Sequence, residues 1–277
     1  MKVVALVHNY IPDCRGGAEV MLHQILSCFV KDGHEVEVLV PNTRIIGKKS
    51  VIDGVTIISG INAKQKVGSI SADIIVSHLL EAPRAGAIAK AIKAKFIHII
   101  HNDNASTKVA MADGADLFVY NTNWLRDALR RPGIVVHPPV FPAAHKTTPG
   151  DRITLVNMIP PKGSNLFYEL ADKLPEFKFL AVEGGYGKQD FRSAPNIQHQ
   201  KNTSNMKDDV WAKTGILIMP SDYESYGMVG IEAMCSGIPV IAHPTPGLRE
   251  SLGGAGIFVD RNDPEKWVHA IRYVKND

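Results

Sequence analysis

The composition of this 277-residue chain, with 45% hydrophobic and 21% charged residues, is that of an ordinary folded protein and excludes extensive disorder. The net charge is only +3 and no run of five like charges occurs, so the basic footprint typical of nucleic-acid binding is missing. Cys14, Cys28 and Cys235 are odd in number and widely spaced, which favours a reducing compartment over a disulfide framework.

The N-terminal segment does not have the pattern of a secretion signal. In MKVVALVHNYIPD the apolar run is too short for a signal peptide, and no stretch of the chain reaches about 18 uninterrupted apolar residues. We therefore expect a cytoplasmic protein without a transmembrane segment. Peripheral association with a membrane surface stays open.

The first half of the chain alternates short β-branched runs with segments of helical period. Strands are predicted at KVVALV, EVEVLV, DIIVSH, KFIHII and LFVYNT. Between the first two strands, one helical face carries Leu22, Ile25, Leu26 and Phe29, and Gly33 follows as a stop. This alternation is typical of a parallel sheet covered by helices.

A proline-rich segment separates the two halves, with prolines at 132, 138, 139, 142 and 149. It predicts an interdomain linker. The second half then predicts strands at ITLVNM, FKFLAV, NIQHQ, GILIMP, PVIAH and GIFVD, with helices at SNLFYELADKL and PEKWVHAIRYV. We therefore predict an α/β fold of two doubly wound, Rossmann-like domains, residues 1–148 and 149–277, that face a cleft.

Ligands bind such sheets beyond the carboxyl ends of the strands, where loops lead into helices. In the first loop of this kind, Gly16 and Gly17 precede the first helix. Glycines let backbone N–H groups approach a phosphate or sugar closely, and the helix dipole favours an anion. An ordinary flexible turn is the alternative. The dinucleotide fingerprint G-x-G-x-x-G is absent from this loop.

A second loop, NMIPPKGSN, places Lys162 between a strand and a helix. A lysine there can reach a negatively charged leaving group, although a lone lysine in a loop is usually only solvated. The nearby EGGYGKQ is not a phosphate-binding P-loop, because Gln189 follows Lys188 and Val182 occupies the place of the first glycine.

The third loop lies within PSDYESYGMVGIEAMCSGIPV. The helix predicted from Met228 would direct its first N–H groups, near Met228 and Val229, at a diphosphate. Glu232 lies about one turn further along, where it can accept hydrogen bonds from ribose hydroxyls. Glu224 precedes the helix and would face the sugar end of the ligand. The alternative is that both acids are ordinary surface residues.

The stretch ESYGMVGIEAMCSGIPVIAHPTPGLRE resembles the signature of retaining glycosyltransferases of the family-four type, which have the GT-B fold and an E-x7-E motif. RGGAE, VNMIPPKG and HIIHND resemble further motifs of this family, and the similarity is strongest over about residues 150–260. The resemblance implies transfer of a hexosyl or pentosyl group from a nucleotide-sugar donor with retention of anomeric configuration. It implies no metal and no other cofactor.

The resemblance also implies roles for single residues. Glu232 would bind the ribose, Glu224 the donor-sugar hydroxyls, and Lys162 the diphosphate as its bond to the sugar breaks. The departing phosphate would take the acceptor proton, so Glu224 would position the sugar without attacking it. The remaining implied donor-site residues are His101 beside the sugar, Tyr226 and Gly227 assisting Glu224, Met228 and Val229 at the diphosphate, and Gly16 and Gly17 on the phosphate and acceptor side.

One departure from the family concerns charge. The family has an arginine shortly before its lysine, where this chain has Asn157 and Met158, so another cation such as Arg15 would have to replace it. A non-catalytic nucleotide-sugar binding protein, or a GT-B sugar-nucleotide epimerase or phosphorylase, are the alternatives. The nucleotide, the sugar and the oligomeric state stay open, and the acceptor could be a glycan, a lipid or a modified nucleic acid.

Overall fold

The computed structural model describes residues 1–42 and 47–276. Its internal contacts divide the chain into two compact units, the first ending at Pro139 and the second beginning at Val140. Residues 140–148, assigned to the first domain from the sequence, therefore belong to the second unit. Ser236 provides a local reason, because its hydroxyl donates to the carbonyl of His145 and accepts from the N–H of Thr147, each at 2.9 Å.

The first unit contains an eight-stranded sheet in the described part of the chain. The strands are β1 (Lys2–Leu6), β2 (Glu35–Val40), β3 (Lys49–Ile52), β4 (Val55–Ser59), β5 (Ile74–His78), β6 (Lys95–Ile100), β7 (Leu117–Tyr120) and β8 (Ile134–Val135). The helices are α1 (Gly17–Lys31), α2 (Gly60–Val67), α3 (Ala82–Ile92), α4 (Ala105–Ala110) and α5 (Asn123–Leu129). The strand order is β3-β4-β2-β1-β5-β6-β7-β8, and β3 alone runs antiparallel to its neighbour.

The five strands predicted for this half are confirmed as β1, β2, β5, β6 and β7. The prediction missed β3, β4 and β8. Asp53 and Gly54 join β3 to β4 with φ of 49° and 78°, and Asp-Gly is a known signal of a tight hairpin. On α1, Leu22 and Leu26 are fully buried against the sheet, as the helical period predicts.

The second unit is built on a six-stranded, fully parallel sheet, as far as the chain is described. The strands are β9 (Arg152–Val156), β10 (Phe179–Val182), β11 (Ile197–Gln200), β12 (Thr214–Met219), β13 (Val240–Ala242) and β14 (Ile257–Phe258). The helices are α6 (Pro142–His145), α7 (Ser164–Lys173), α8 (Met206–Asp209), α9 (Met228–Met234), α10 (Pro246–Leu252) and α11 (Pro264–Asn276). All six strands were predicted.

Strand order in the second sheet is β11-β10-β9-β12-β13-β14. Winding therefore reverses between the neighbours β9 and β12, and in the first sheet it reverses between β1 and β5. Both units are doubly wound α/β domains, which confirms the predicted architecture of each. In such sheets the loops at the reversal point form the ligand site.

Buried apolar residues cover both faces of each sheet. In the second unit, Trp267 of α11 and Phe167 of α7 are fully buried on one face, and Trp211 and Leu248 on the other. Burying each of these side chains contributes on the order of 1.5–3 kcal/mol. None of the helices in the described ranges has both the length and the apolar character needed to cross a membrane.

Candidate functional site

The point where winding reverses in the second sheet brings Lys162 and Glu224 together. Lys162 ends a short 3₁₀ turn, Pro160–Lys162, after β9, and Glu224 lies in the loop after β12. The Lys162 ammonium group donates a hydrogen bond to Oε1 of Glu224, which also accepts one from the Ser221 hydroxyl at 3.1 Å. Two residues singled out separately in the sequence are thus direct partners.

Lys162 keeps its positive charge in this environment. Burial opposes the charge, but the Glu224 carboxylate and the Tyr186 hydroxyl outweigh it and hold the pKa of Lys162 above its usual range. The side chains of Lys162 and Glu224 are only 17% and 16% exposed. Tyr186, in the loop after β10, was not singled out from the sequence because its contact with Lys162 depends on how the two loops fold.

Two close contacts fix the geometry of these loops. Gly163 follows Lys162 with a φ of 92°, and a Cβ atom at this position would overlap Cγ of Pro220. The N–H of Asp222 donates to the carbonyl of Pro161 at 2.8 Å. The glycine is therefore required both by its left-handed backbone and by the close approach of the loop after β12.

Glu232 lies on α9, at the same edge of the sheet, and its side chain is 13% exposed. Burial raises the pKa of Glu232 to about 7. No residue in the described ranges donates a hydrogen bond to its carboxylate. A buried carboxyl group without a partner and with a raised pKa is a typical feature of functional sites.

The nearest basic group to Glu232 is His145 of α6, whose Nδ1 lies 3.8 Å from Oε2 of Glu232. The indole N–H of Trp211 points to the same Nδ1 at 3.4 Å, which makes this nitrogen an acceptor. Burial lowers the pKa of His145. His145 is therefore neutral, and its Nδ1 already accepts a hydrogen bond from Trp211. It does not balance a negative charge on Glu232. The sequence reading had placed His145 in a linker and missed this neighbour.

The start of α9 is arranged as the sequence predicts. Gly227 precedes the helix with a φ of 83°, and Met228 is its first residue. The first N–H groups of a helix, here those of Met228 and Val229, have no partner inside the helix. The carbonyl of Tyr226 accepts a hydrogen bond from the Ser251 hydroxyl at 2.6 Å, which holds the approach to the helix in place.

In the first unit, the start of α1 already contains a carboxyl group. Gly17 begins α1 and Gly16 precedes it, with its N–H bonded to the Glu19 carboxylate. A Cβ atom at position 16 would lie 2.5 Å from Oε2 of Glu19. Burial raises the pKa of Glu19 by more than the hydrogen bonds from the N–H groups of Glu19 and Gly16 lower it. That Gly16 and Gly17 also contact a ligand stays a prediction.

His101 lies just after β6 and is almost completely buried. Its Nε2 is 2.9 Å from Nδ1 of His78, at the end of β5. Burial, reinforced by His98, lowers the pKa of His101 to about 3, and burial also lowers the pKa of His78 well below its usual range. Both imidazoles are therefore neutral. The position of His101 beside a donor sugar stays a prediction.

Neither Asn157 nor Met158 offers a substitute for the family arginine. Met158 is fully buried in the core, and Asn157 accepts a hydrogen bond from Gln189 at 2.9 Å. The sequence reading missed another cation of this unit, Arg261, which follows β14. Its guanidinium group pairs with Asp222, in the loop after β12. Its position directly after a predicted strand could have identified Arg261 as a candidate site residue from the sequence.

Across residues 1–42 and 47–276, no group of three or more His, Cys, Asp or Glu side chains is arranged to hold a metal ion. Cys14, Cys28 and Cys235 are free thiols.

Residues 153–277 match the family profile described as "Glycosyl transferases group 1". The second unit carries a group 1 glycosyltransferase domain. Lys162, Glu224 and Glu232 all lie within the matched residues, so the site described above is part of this glycosyltransferase domain.

Two similar proteins are named as glycosyltransferases. A D-inositol 3-phosphate glycosyltransferase of Nocardioides sp. is 24% identical over 246 residues, which are 86% of this chain and 50% of that protein. The sulfoquinovosyl transferase SQD2 of Arabidopsis thaliana is 28% identical over 125 residues, which are 42% of this chain and 24% of that protein. The chain thus spans half or less of the length of these curated relatives.

Solved structures match the glycosyltransferase domain together with the first unit. HepE of Anabaena, crystallised with UDP-glucose, matches 99% of this chain and 89% of its own, with a TM-score of 0.79 and 17% identity. Sucrose-phosphate synthase of Thermosynechococcus elongatus matches 100% of this chain and 90% of its own, with a TM-score of 0.78 and 15% identity. These similarities show that the chain has the GT-B fold, which confirms the predicted fold class.

Proposed function

We propose that the chain is a retaining, metal-independent glycosyltransferase that moves a sugar from a nucleotide-sugar donor to an acceptor hydroxyl. The second unit would bind the donor and the first unit would provide the acceptor side. The observation that carries the proposal is the pairing of Lys162 with Glu224 beside α9, at the point where the sheet reverses its winding.

Each charged group of the donor site has a task that fits its surroundings. Lys162, held protonated, stabilises the negative charge that grows on the diphosphate as its bond to the sugar breaks. The N–H groups of Met228 and Val229 support the same phosphates. Glu232, whose carboxylate has no hydrogen-bond donor among the described residues, accepts hydrogen bonds from the ribose hydroxyls. Glu224 holds hydroxyls of the sugar once Lys162 turns to the phosphate.

The proposed reaction occurs on one face of the sugar. The bond between the anomeric carbon and the phosphate oxygen breaks, and the acceptor oxygen bonds to the same carbon from the same side. The acceptor proton passes to the departing phosphate oxygen. No side chain forms a covalent intermediate, so Glu224 acts by positioning the sugar.

Calorimetric titration with uridine, guanosine and adenosine diphosphates, and with their glucose conjugates, tests which nucleotide the chain binds. UDP is the first to test, because the HepE structure was determined with UDP-glucose. A saturating ligand at a hundred times its dissociation constant stabilises the chain by about 2.7 kcal/mol, so thermal unfolding gives a second readout. The absence of binding by every nucleotide and conjugate would contradict the proposal.

Retention and metal independence have their own test. With an identified acceptor, NMR of the product reports the anomeric configuration, and we expect that of the donor to be kept. Activity should persist in a chelator, because Lys162 and the N–H groups at the start of α9 are proposed to do the work of a cation. Inversion of the anomeric centre would contradict retention. Activity that disappears in chelator and returns with magnesium or manganese would contradict metal independence.

The non-catalytic alternative is separated by the fate of a bound donor. A nucleotide-sugar with a radiolabelled sugar would be retained unchanged by a binding protein, whereas a transferase releases the nucleotide and passes the label to an acceptor. An epimerase would instead change the sugar while it is still attached to the nucleotide. A glycan, a lipid and a modified nucleic acid are each to be supplied as acceptors.

A further inference from the structure

The loop that follows β10, residues 183–190, is folded against the segment that follows β9, and we call it the β10 loop. β9 and β10 are parallel neighbours, so both segments leave the sheet at the same edge. A Cβ atom at Gly184 would overlap the side chain of Asn157, and one at Gly187 would lie 3.0 Å from Cγ2 of Ile159. The β10 loop is therefore packed closely on the residues that lead to the 3₁₀ turn of the donor site.

Gln189 holds the β10 loop in this conformation. Its amide oxygen accepts hydrogen bonds from the N–H groups of Met158 and Gly184, each at 3.0 Å. Its amide nitrogen donates to Oδ1 of Asn157 and to the carbonyl of Tyr186, each at 2.9 Å. An amide side chain has two N–H donors and an oxygen with two lone pairs, so these four bonds use its full capacity. The backbone of Tyr186 is therefore fixed to the segment after β9.

The hydroxyl group of Tyr186 contacts the Lys162 ammonium group, and the residue is 55% exposed. An ammonium group has only donors, so the Tyr186 oxygen is the acceptor of this hydrogen bond. The hydroxyl hydrogen then points away from Lys162, and it has no acceptor among the described residues. A hydroxyl that accepts from a cation is also a stronger donor, because the two bonds polarise each other. An accessible donor thus lies beside Lys162.

Lys162 alone provides few donors for a diphosphate, which has several acceptor oxygens. Of its three N–H groups, one is bonded to Glu224 and one to Tyr186, which leaves one for a phosphate oxygen. Asn157 and Met158 add no cation in front of this lysine, since the first is bonded to Gln189 and the second is buried in the core. Tyr186 offers a second donor at the same place.

We propose that Tyr186 is a binding residue of the donor site, whose hydroxyl donates a hydrogen bond to the phosphate next to the sugar, beside Lys162. It provides, as a neutral donor, part of the stabilisation that an arginine before the lysine would give. Hydrogen bonds to a charged acceptor are stronger than those between neutral groups, so a single hydroxyl has a measurable effect. The inference rests on the proposed function, because it takes Lys162 to face the diphosphate.

Calorimetric titration with UDP, GDP and ADP, and with the matching monophosphates, tests this contact. Tyr186→Phe removes only the hydroxyl group of an exposed residue, so the chain should fold normally. We expect it to weaken the diphosphate that binds best by roughly three- to tenfold. Binding of the matching monophosphate should not change, because a monophosphate lacks the phosphate next to the sugar. Tyr273→Phe, at an exposed tyrosine of α11, is the matched control, and equal diphosphate affinities in the two variants would overturn the proposal.

The same titration in a Lys162→Gln background separates a direct contact from an effect through Lys162. If the Tyr186 hydroxyl binds the phosphate itself, Tyr186→Phe should weaken the diphosphate at least twofold in this background as well. No further loss would show that Tyr186 only orients Lys162, and would overturn the proposal. An equal loss for diphosphate and monophosphate would also overturn it, because the hydroxyl would then not recognise the phosphate next to the sugar.

Failure of this inference is distinguishable from failure of the proposed function. If Lys162→Gln weakens the diphosphate and Tyr186→Phe does not, the donor site is retained and the Tyr186 contact alone is refuted. If Tyr186→Phe weakens the diphosphate and Lys162→Gln does not, the Tyr186 contact is retained and the proposed role of Lys162 is refuted. A chain that binds none of the three diphosphates would refute both.

Discussion

The ammonium group of Lys162 is bound to Oε1 of Glu224, a residue 62 positions further along the chain. The contact exists because β9 and β12 are parallel neighbours, so the loops that follow them meet at one edge of the sheet. Both side chains are mostly buried, and removing one partner of such a pair leaves an uncompensated charge. The pair therefore links the loops after β9 and β12.

We expect Lys162→Gln to weaken the binding of nucleoside diphosphate by about tenfold or more, because a hydrogen bond to a charged group contributes about 1.5–3 kcal/mol. Lys173→Gln is the control, since Lys173 lies at the far end of α7 and pairs with Glu265 on the surface. Calorimetric titration with UDP measures both variants. Equal affinities in the two variants would contradict the proposed role of Lys162.

Glu232 should make the second unit less stable as pH rises from 4.5 to 7. Burial in the folded chain raises the pKa of Glu232 to about 7, from the 4.5 of an unperturbed glutamate. In this window the folded state keeps a proton that the unfolded state has lost, so stability falls as pH rises. The shift corresponds to about 3 kcal/mol at pH 7, which Glu232→Gln should abolish.

Urea unfolding at pH 5 and pH 7 tests this prediction in a Trp124→Phe background, where fluorescence comes from Trp211 and Trp267 of the second unit. The free energy of unfolding of Glu232→Gln, relative to the parent, should rise by about 2 to 3 kcal/mol between the two pH values. Glu169→Gln, at an exposed position of α7, is the control. A parallel pH dependence in parent and Glu232→Gln would show that Glu232 is ionised throughout.

His78 should hold His101 in place through their shared hydrogen bond. His78→Phe leaves Nε2 of His101 buried without a partner, which should cost about 1–3 kcal/mol of unfolding free energy. His78→Asn should recover part of the loss, because the asparagine amide can reach the position of Nδ1. Hydrogen exchange in β5 and β6 reports the local stability. Equal protection in the phenylalanine and asparagine variants would rule out the hydrogen bond as the cause.

The same pair should also make the first unit sensitive to acid. The pKa of His101 is lowered to about 3 and that of His78 well below 6.5, so in acid the unfolded chain binds protons that the folded chain excludes. Stability from these groups is present above pH 6.5 and is lost as pH falls toward 3. NMR should show imidazole shifts of both residues that do not change between pH 8 and 5.5. A midpoint near 6.5 would contradict the buried neutral pair.

The sequence predicted eleven of the fourteen strands in the described ranges, because most of them carry a β-branched or otherwise apolar run between turn residues. It missed β3 and β4, whose short segments need the Asp53-Gly54 hairpin to be recognised. It also predicted that Lys162 and Glu224 lie in loops that follow strands, and that Glu232 lies on the helix that begins at Met228. The pattern of apolar residues locates strands and helices from neighbouring residues alone, and the loops between them follow.

The partners of the site residues could not be predicted in the same way. Tyr186 contacts Lys162, and Trp211 donates a hydrogen bond to Nδ1 of His145, through loop conformations that depend on tertiary packing. The proline-rich segment was interpreted as a linker from its composition alone. The boundary between the two units falls inside this segment, and the hydrogen bonds of Ser236 with His145 and Thr147 hold its second part, from Val140 onward, to the second unit.

The two acids of the E-x7-E motif should fail in different ways when they are removed. Glu232→Ala should weaken both nucleoside diphosphate and donor by about 1 to 3 kcal/mol, because the ribose hydroxyls lose a charged acceptor. Glu224→Ala should leave nucleoside diphosphate affinity unchanged or slightly higher, because Lys162 loses its competing partner. Its turnover should fall by more than its donor affinity, since contacts to the sugar matter most as positive character develops.

Calorimetric titration of both variants with nucleoside diphosphate and with donor, beside their transfer rates, separates these two tasks. Glu169→Ala serves as the control for removal of an acidic side chain, because Glu169 is exposed on α7 and lies 3.9 Å from the Lys173 ammonium group. Equal losses of nucleoside diphosphate affinity in Glu224→Ala and Glu232→Ala would show that Glu224 does not face the sugar. If neither variant differed from the control, both carboxylates would lie outside the donor site, and the pairing of Lys162 with Glu224 would serve only to hold the two loops together.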